Sequence, residues 1–242
     1  LDFLMVYMGS KRRIKKRLVP ILQDYIDKNR VTTYIEPMVG GANVIDSIKC
    51  ETRIGYDAHR YLIELLKHVS ENGGEDIPLD VSRQEYQDVK EHIRDYPMWY
   101  AGLIGFCASY SGKWMAGYAS CYRKTGKSRA SEMLNNLRKQ APLLEGIQFD
   151  CKHYKDIPLV PGSLIYLDPP YRNTTPYKGT QGLDYDELYD WLRKASKTCK
   201  VFVSEYQMPD DFKLVAEFPQ LTQLCDDKSK QFVSVEKVFT LE

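Results

Sequence analysis

The sequence lacks the cysteine pattern that a zinc site or a disulfide framework requires. Its six cysteines stand at irregular spacings, with no Cys-x-x-Cys pair and no nearby pair of histidines. We therefore interpret them as reduced thiols of an intracellular protein. They are Cys50, Cys107, Cys121, Cys151, Cys199 and Cys225.

The sequence also lacks a long hydrophobic run and a strong net charge. No apolar run approaches the about 20 residues needed to cross a bilayer, and the N-terminal segment is too short and too poor in basic residues for a signal peptide. We expect a cytoplasmic protein with no membrane partner and no bound metal. Because the formal net charge is only +1, a nucleic-acid surface would have to come from local clustering of basic residues.

The chain is long enough for one α/β core and a smaller lobe, with 242 residues of which 43% are hydrophobic. Three β-rich apolar runs each end at an acid: 32–35 before Glu36, 53–56 before Asp57, and 164–167 before Asp168. Helical patterns alternate with these runs, at 12–28, 61–71 and 186–197. A further strand is predicted at 201–204, and a late strand or hairpin at 231–241. This alternation predicts a doubly wound α/β sheet, whose ligands bind at the carboxyl ends of the strands.

The interval between Asp57 and Leu164 is too long for one helix and one strand, which predicts an inserted lobe. Residues 101–140 carry seven basic side chains and one acid, with aromatic residues interleaved. Such a composition is typical of nucleic-acid binding, although a solvated face over a small aromatic core would produce the same pattern. The candidate DNA contacts are Lys113, Arg123, Lys124, Lys127 and Arg129. The basic residues at 12–17 are expected to form a solvated helix face.

The most informative motif is Asp168-Pro169-Pro170-Tyr171, directly after a predicted strand. The exocyclic amine of adenine is a poor nucleophile, because its lone pair is delocalised into the ring. A carboxylate at Asp168 and the carbonyl of Pro169, aimed by two prolines of fixed φ, can accept the two N–H bonds and draw the amine out of conjugation. Tyr171 offers a flat face on which an extruded base can stack.

Two further motifs stand at the ends of predicted strands. Gly40 and Gly41 follow Glu36 and Pro37, and glycines at a strand-to-helix turn let the backbone approach a ligand closely. Asp57 follows about twenty residues later, where an acid can accept hydrogen bonds from the ribose of a nucleoside cofactor. Either feature alone would be an ordinary turn or a helix cap.

In their order and spacing, these motifs resemble the Dam-like, alpha-class (D12) DNA adenine-N6 methyltransferases, over nearly the whole chain. The resemblance implies a class I S-adenosylmethionine-dependent methyltransferase core, with a Rossmann-like sheet, at 1–60 and 145–242. It also implies a mainly helical target-recognition domain inserted at 61–144. Double-stranded DNA would be the partner, S-adenosyl-L-methionine the cofactor, and the N6 amine of a flipped adenine the methyl acceptor.

The resemblance also assigns roles to residues. Asp168, Pro169 and Tyr171 match the catalytic motif, and Asp168 also borders the cofactor. The remaining cofactor residues are Tyr7 and Lys11 in an N-terminal segment, Glu36, Pro37, Gly40 and Gly41 in a methionine-side loop, Asp57 at the ribose, and Asp150 with Cys151 at the adenine.

The sequence departs from the family pattern at three positions. Met38 replaces a usual Phe, and Ala42 replaces the last of three glycines, which is compatible with the loop if its φ is negative. Cys151 stands where an aromatic residue is common, so weaker stacking on the cofactor adenine is expected. The recognition sequence, the oligomeric state and the existence of a restriction partner are left open.

Two alternatives remain at this stage. Some RNA guanine-N2 methyltransferases also carry Asp-Pro-Pro-Tyr, but they generally lack a large lobe before that motif. A catalytically silent DNA-binding protein could retain the fold, but its motif should have decayed, whereas Asp168 and Tyr171 are intact.

Overall fold

One mixed sheet organises the chain. A computed structural model describes residues 4–122, 126, 128–171, 182–223 and 231–241. Within these residues the strands are β1 (Thr33–Glu36), β2 (Thr52–Asp57), β3 (Gln148–Cys151), β4 (Leu164–Leu167), β5 (Lys200–Glu205), β6 (Lys213–Gln223) and β7 (Gln231–Thr240). They form a seven-stranded sheet in the order β3-β2-β1-β4-β5-β7-β6.

The first five strands are parallel, and β7 runs antiparallel to both β5 and β6. Because β1 is followed outward by β2 on one side and by β4 on the other, the strand order reverses there, and such a reversal opens a ligand crevice at the carboxyl ends. The predicted α/β class is confirmed, as are the five predicted strands, which correspond to β1, β2, β4, β5 and β7.

The helices are α1 (Lys15–Asn29), α2 (Arg60–Asn72), α3 (Arg83–Glu91), α4 (Met98–Cys107), α5 (Arg129–Leu144) and α6 (Tyr185–Ala195). The patterns at 61–71 and 186–197 correspond to α2 and α6. The pattern at 12–28 is divided, because a 3-10 turn at Lys11–Arg13 precedes α1. A side-chain cap begins α6, where the Asp184 carboxylate accepts the N–H of Glu187 at 3.0 Å.

Successive strand residues face opposite sides of the sheet, and each side has its own hydrophobic cluster. Tyr34 and Leu164 belong to the cluster that contains α1 and α2, whereas Ile35 and Ile165 belong to the cluster that contains α6. This alternation follows from the two-residue period of a strand. Both faces of β1 and β4 are therefore buried, as parallel strands require.

The segment between β2 and β3 contains α2, α3, α4 and α5, and its described residues form no strand. Side chains of these helices share one hydrophobic cluster with α1 and β1. The segment is thus packed directly onto one face of the sheet. The boundary of a separate recognition domain at 61–144 stays a prediction.

The prediction of a solvated basic face at 12–17 is wrong at one residue. Arg12, Arg13, Lys16 and Arg17 are exposed, but Lys15 is buried, with its Nζ 2.5 Å from Oδ1 of Asp46. Lys15 lies on the side of α1 that faces the core, where a buried ammonium requires a carboxylate partner.

In the part of the chain that the structure describes, no helix has both the length and the apolar composition that crossing a bilayer would require.

Candidate active site

Acidic residues mark the carboxyl end of every parallel strand. In sheet order they are Asp150 in β3, Asp57 in β2, Glu36 in β1, Asp168 directly after β4, and Glu205 in β5. Since parallel strands end at the same edge of a sheet, these five acids line one edge. The structure therefore brings together the acids that the sequence singled out.

The loop after β1 is in contact with the N-terminal segment. A Cβ placed on Gly40 would lie 2.9 Å from Cε1 of Tyr7, and one placed on Gly41 would lie 2.8 Å from Cβ of Tyr7. Gly40 also has a φ of +50°, a conformation that side-chain-bearing residues rarely adopt. Only glycine fits between Tyr7 and this turn, which explains the pair of glycines in the sequence.

Ala42 differs from the expectation of a negative φ. Its φ is +56°, so the alanine occupies a left-handed conformation that costs a non-glycine residue about 1–2 kcal/mol. The surroundings hold this conformation, because Ala42 is fully buried and its N–H donates to the carbonyl of Val39 at 3.0 Å.

Asp57 connects β2 to the glycine loop. Its carboxylate accepts the N–H of Gly40 at 3.2 Å and the N–H of His59 at 2.9 Å. Burial raises the pKa of Asp57, and these backbone donors partly offset that rise. Because one carboxylate oxygen accepts from each donor, the side chain is fixed at the mouth of the loop.

Asp150 lies on the neighbouring strand in a more exposed position. The register places Tyr56 opposite Asp150 and Asp57 opposite Cys151. The ammonium of Lys152, 3.1 Å from the Asp150 carboxylate, holds the pKa of Asp150 below its ordinary value. Cys151 is exposed, and its N–H donates to Asp150 at 2.9 Å.

Glu36 is buried next to Tyr34 and close enough to Asp46 for their charges to interact. The Tyr34 hydroxyl donates to Oε1 of Glu36 at 2.7 Å. Burial raises the pKa of Glu36 well above its ordinary value, although the tyrosine hydrogen bond opposes the rise, and the charge of Asp46 adds to it. A cation arriving at this end of β1 would relieve the cost of burying the carboxylate. Pro37 follows directly and leads the chain into the glycine loop.

Asp168 lies in a cluster of four polar side chains from three parts of the chain. The Lys11 ammonium is 2.7 Å from the Asp168 carboxylate and 3.4 Å from the Glu236 carboxylate, and it donates to the Tyr171 hydroxyl. The Tyr171 hydroxyl in turn donates to Glu236 at 3.2 Å. We call Lys11, Asp168, Tyr171 and Glu236 the Lys11 cluster.

Opposing effects set the protonation states in the Lys11 cluster. Burial raises the pKa of Asp168 to about 6; Lys11 opposes this rise and Glu236 adds to it. Burial alone would lower the pKa of Lys11, but the charges of Asp168 and Glu236 outweigh it and raise that pKa. Lys11 is therefore charged at neutral pH, and Asp168 changes its charge near pH 6.

The two prolines between Asp168 and Tyr171 restrict the backbone conformation that leads to the tyrosine. Pro169 is buried, and the carbonyl of exposed Pro170 accepts the Tyr185 hydroxyl at 2.6 Å. The Tyr171 ring lies edge-on to Tyr206, with ring centroids 4.6 Å apart, and the Lys11 ammonium lies 4.4 Å from the Tyr171 ring centre. The ring is thus held in place by contacts on several sides.

Comparison with known proteins agrees with this arrangement. The family model described as D12 class N6 adenine-specific DNA methyltransferase matches residues 7–231. This chain belongs to that family. The mixed seven-stranded sheet of this D12 class chain is consistent with a Rossmann-like methyltransferase fold.

The D12 class chain is also similar to a curated protein. The Type II methyltransferase M.FokI of Planomicrobium okeanokoites is 25% identical to it over 192 residues, which cover 70% of this chain. The matched part is 29% of the length of M.FokI, so the chain spans well under half of that relative.

The predicted DNA contacts of the D12 class chain are only partly described. Lys113 is exposed in the segment between α4 and α5, and Arg129 is the first residue of α5, with its guanidinium 4.4 Å from the Tyr122 ring centre. Arg123, Lys124 and Lys127 lie outside the described residues. Neither described residue belongs to the Lys11 cluster.

Two residues of the candidate site, Glu236 and Tyr206, were not assigned a role from the sequence. Glu236 lies in the middle of β7 and reaches the site only because that strand returns antiparallel beside β5. Tyr206 directly follows β5, and its position at a strand's carboxyl end was the signal available to predict it.

Each of the four histidines has a polar contact within the fold. His59 accepts the N–H of Leu62 at 3.3 Å and caps α2, and His153 accepts the N–H of Lys155 at 3.4 Å. His68 contacts the carboxylate of Asp76, and His92 contacts that of Asp88. Within the described residues no group of three or more His, Cys, Asp or Glu side chains could hold a metal ion.

Proposed function

We propose that this chain transfers a methyl group from S-adenosyl-L-methionine to the N6 amine of an adenine in double-stranded DNA. The observation that carries the proposal is the Asp168 carboxylate at the reversal point of the sheet, where it already accepts a nitrogen donor, the Lys11 ammonium, at 2.7 Å. A carboxylate that accepts one N–H donor at this edge can accept an exocyclic amine in the same way.

The residues along the carboxyl edge fit the proposed cofactor. Asp57 would accept from the ribose hydroxyls, and Asp150 from the adenine amine, with Cys151 beside it. The buried Glu36 carboxylate offers a counter-charge for the ammonium of a methionine group, and Gly40 and Gly41, against which Tyr7 packs, would let the loop backbone approach that group closely. Lys11 and Asp168 would border the sulfonium end.

Asp168 and Pro169 would prepare the amine for reaction. Bound S-adenosylmethionine would supply a methyl group on a positively charged sulfur, and the electrons of the broken S–C bond would leave with that sulfur as a neutral thioether. The Asp168 carboxylate and the Pro169 carbonyl would each accept one N–H of N6, which returns the lone pair to the nitrogen. Positive charge then develops on N6, and the negative charge of Asp168 stabilises it. The N6 proton leaves to Asp168 or to water once the new N–C bond has formed.

Tyr171 would stack on the base after it leaves the duplex. Stacking on an aromatic ring contributes about 1–3 kcal/mol per base, which offsets much of the few kcal/mol that flipping costs. Because Tyr206 and Lys11 already contact the ring, little side-chain freedom would be lost when a base arrives.

The helical segment at 61–144 would be the target-recognition domain of a class I methyltransferase whose catalytic core is 1–60 and 145–242. Arg129 supports this proposal, because an arginine in the first turn of α5 is unfavourable for the helix dipole and a phosphate would offset it. Lys113 would lie near the same DNA, together with Arg123, Lys124 and Lys127.

A single-turnover assay tests the proposed function. We expect the wild-type protein to transfer a tritiated methyl group to adenine N6 in duplex DNA, and Asp168→Ala to lower the rate by about a hundredfold or more, because the acceptor of N6 is lost. Asp24→Ala is the matched control, since Asp24 is an exposed acid of α1 that pairs with Lys28. Near-wild-type transfer by Asp168→Ala would contradict the mechanism.

The same assay separates the alternatives. Labelling of guanine in RNA, with no labelling of DNA, would favour the RNA guanine-N2 methyltransferase. DNA binding without any transfer would favour a silent binding protein.

A further inference from the structure

Lys11 creates an electrostatic difficulty for the proposed reaction, on which this inference rests. Its ammonium contacts the carboxylate that must stabilise positive charge on N6, at 2.7 Å. One lysine and one aspartate together have no net charge. A neutral pair stabilises an arriving positive charge much less than a lone carboxylate does.

A second carboxylate resolves this difficulty. Glu236 lies 3.4 Å from the Lys11 ammonium and accepts the Tyr171 hydroxyl at 3.2 Å. With Glu236 ionised, the Lys11 cluster has one net negative charge when Asp168 is also ionised. When an incoming amine displaces the Lys11 ammonium from Asp168, the ammonium can still pair with Glu236.

Glu236 comes from a different element of the fold than Lys11 and Asp168. Lys11 comes from the N-terminal segment and Asp168 from the end of β4, whereas Glu236 lies on β7, with β5 between β4 and β7. The side chains of Lys11, Asp168 and Glu236 are only 4%, 22% and 19% exposed, so water screens their charges weakly. Glu236 therefore acts on Asp168 more strongly than a surface acid would.

We propose that Glu236 is a positioning residue of the methyl-transfer site, which holds Lys11 and Tyr171 and supplies the negative charge that Lys11 would otherwise cancel. Glu236 does not contact the adenine in this proposal. It keeps the ammonium shared between two acids, so that Asp168 remains available to the N6 amine, and it holds the Tyr171 hydroxyl while the ring stacks on the base.

The acid side of the pH profile gives a readout that a purely structural role would not move. Transfer requires ionised Asp168, so its rate should rise with pH through about 6, the pKa that burial gives this carboxyl. Six titratable groups interact electrostatically with Asp168. They are Lys11, Glu36, Tyr166, Tyr171, Tyr206 and Glu236. Among these, Lys11 opposes protonation of Asp168 and Glu236 favours it.

The test is to measure single-turnover methyl transfer from pH 5 to 9 for the wild type and Glu236→Gln. We expect Glu236→Gln to lower the rate on the alkaline plateau by about tenfold or more and to move the acid inflection to lower pH. Lys11→Gln should move the inflection in the opposite direction. Glu217→Gln is the matched control, because Glu217 pairs with Lys237 at 3.3 Å on the same hairpin, away from the Lys11 cluster, and should change neither quantity.

A double variant tests whether Glu236 acts through Lys11. If it does, Glu236→Gln should have a much smaller effect on the rate in a Lys11→Gln background than in the wild type. Thermal unfolding verifies that each variant is folded. If Glu236→Gln does not fold, Glu236→Asp keeps the charge on a shorter side chain and should keep the wild-type inflection.

The outcomes separate this inference from the proposed function. A wild-type protein that transfers no methyl group to DNA overturns the proposed function, and this inference with it. An active wild type whose plateau rate and inflection are unchanged by Glu236→Gln overturns the inference alone. A lower rate with an unmoved inflection, or additive effects in the double variant, also overturns it.

Discussion

Backbone conformation sets the shape of the loop after β1 residue by residue. Gly40 and Ala42 both have positive φ, and a Cβ at Gly40 would in addition be crowded by Tyr7. Ala42 shows that this loop tolerates a strained side-chain-bearing residue where space allows. At Gly40, strain and crowding coincide, so this position should be the least tolerant of substitution in the loop.

We expect Gly40→Ala to lower both the free energy of unfolding and the affinity for S-adenosylmethionine. The new Cβ would lie 2.9 Å from Cε1 of Tyr7, so the tyrosine must shift in addition to the strain at φ +50°. In the wild type, cofactor at 100 times its dissociation constant should add about 2.7 kcal/mol to stability. Thermal unfolding with and without the cofactor measures both effects.

Gly146→Ala is the matched control for this prediction. Gly146 has a φ of +73°, but a Cβ there would have no atom within 4 Å. The control should therefore lose about 1 kcal/mol of stability from the backbone alone and keep the full cofactor-induced stabilisation. Equal cofactor responses in the two variants would show that the contact between Gly40 and Tyr7 does not shape the binding site.

The sequence could predict a functional residue where local pattern places it. Asp168 and Asp57 directly follow or end apolar runs, so their location at the sheet edge follows from the strand period alone. Glu236 could not be predicted in this way. Its contact with Lys11 depends on the return of a distant antiparallel strand, which no local pattern encodes.

Among the secondary-structure elements, α5 is connected directly to the loop after β1 through one buried side chain. The Oε1 atom of Gln140 accepts the N–H of Met5 at 2.8 Å, and its Nε2 donates to Oδ2 of Asp46 at 3.0 Å. The same Nε2 is 3.3 Å from the carbonyls of Gly41 and Ala42. A helix of the proposed recognition domain thus holds the loop and the N-terminal segment together.

We expect Gln140→Leu to reduce the free energy of unfolding by about 2–3 kcal/mol, because it leaves the buried N–H of Met5 without its acceptor and weakens the partners of Asp46. Cofactor affinity should also fall, since the loop carbonyls lose their donor. Asn135→Leu is the control, because Asn135 is an exposed residue of the same helix. Chemical denaturation compares the two, and equal stabilities would show that the Gln140 contacts contribute little.

Two strands, β3 and β6, were not predicted from the sequence, and each has a physical reason for this. β6 is an edge strand and contains Pro219, which lowers its strand propensity although an edge position tolerates it. β3 has only four residues, of which Gln148 and Cys151 are exposed, so its apolar pattern is weak. Pairing with β2 defines β3 and pairing with β7 defines β6, and this long-range information is absent from a short window of sequence.

At the scale of the whole molecule, the two edges of the sheet differ in character. The carboxyl edge has the five acids, Tyr7 and the Lys11 cluster. α1 ends at Asn29, just before β1 begins at Thr33, so Lys28 lies near the amino edge. With a formal net charge of only +1, the proposed DNA binding would require basic residues placed locally around the carboxyl edge.

The placement of Lys113 supports such a local surface. A Cβ on the preceding Gly112 would lie 2.1 Å from the carbonyl oxygen of Val6, so this turn touches the segment that leads into Tyr7. Lys113 is exposed at that point. A phosphate bound there would lie close to the segment that also contributes Lys11 to the candidate active site.

The alanine variants of Lys113, Arg123, Lys124, Lys127 and Arg129 should separate phosphate contacts from base contacts. Losing a phosphate contact should weaken binding to every duplex alike and flatten the dependence of log K on log salt by about one, because one fewer counterion is released. Losing a base contact should cost about 1–3 kcal/mol only at the preferred sequence. Titration of specific and random duplexes at several salt concentrations measures both, and Lys28→Ala at the opposite edge should change neither.

Unchanged affinity and salt slope in all five variants would place the DNA surface elsewhere, first at exposed Arg12, Arg13, Lys16 and Arg17, which lie next to Lys11 in the chain.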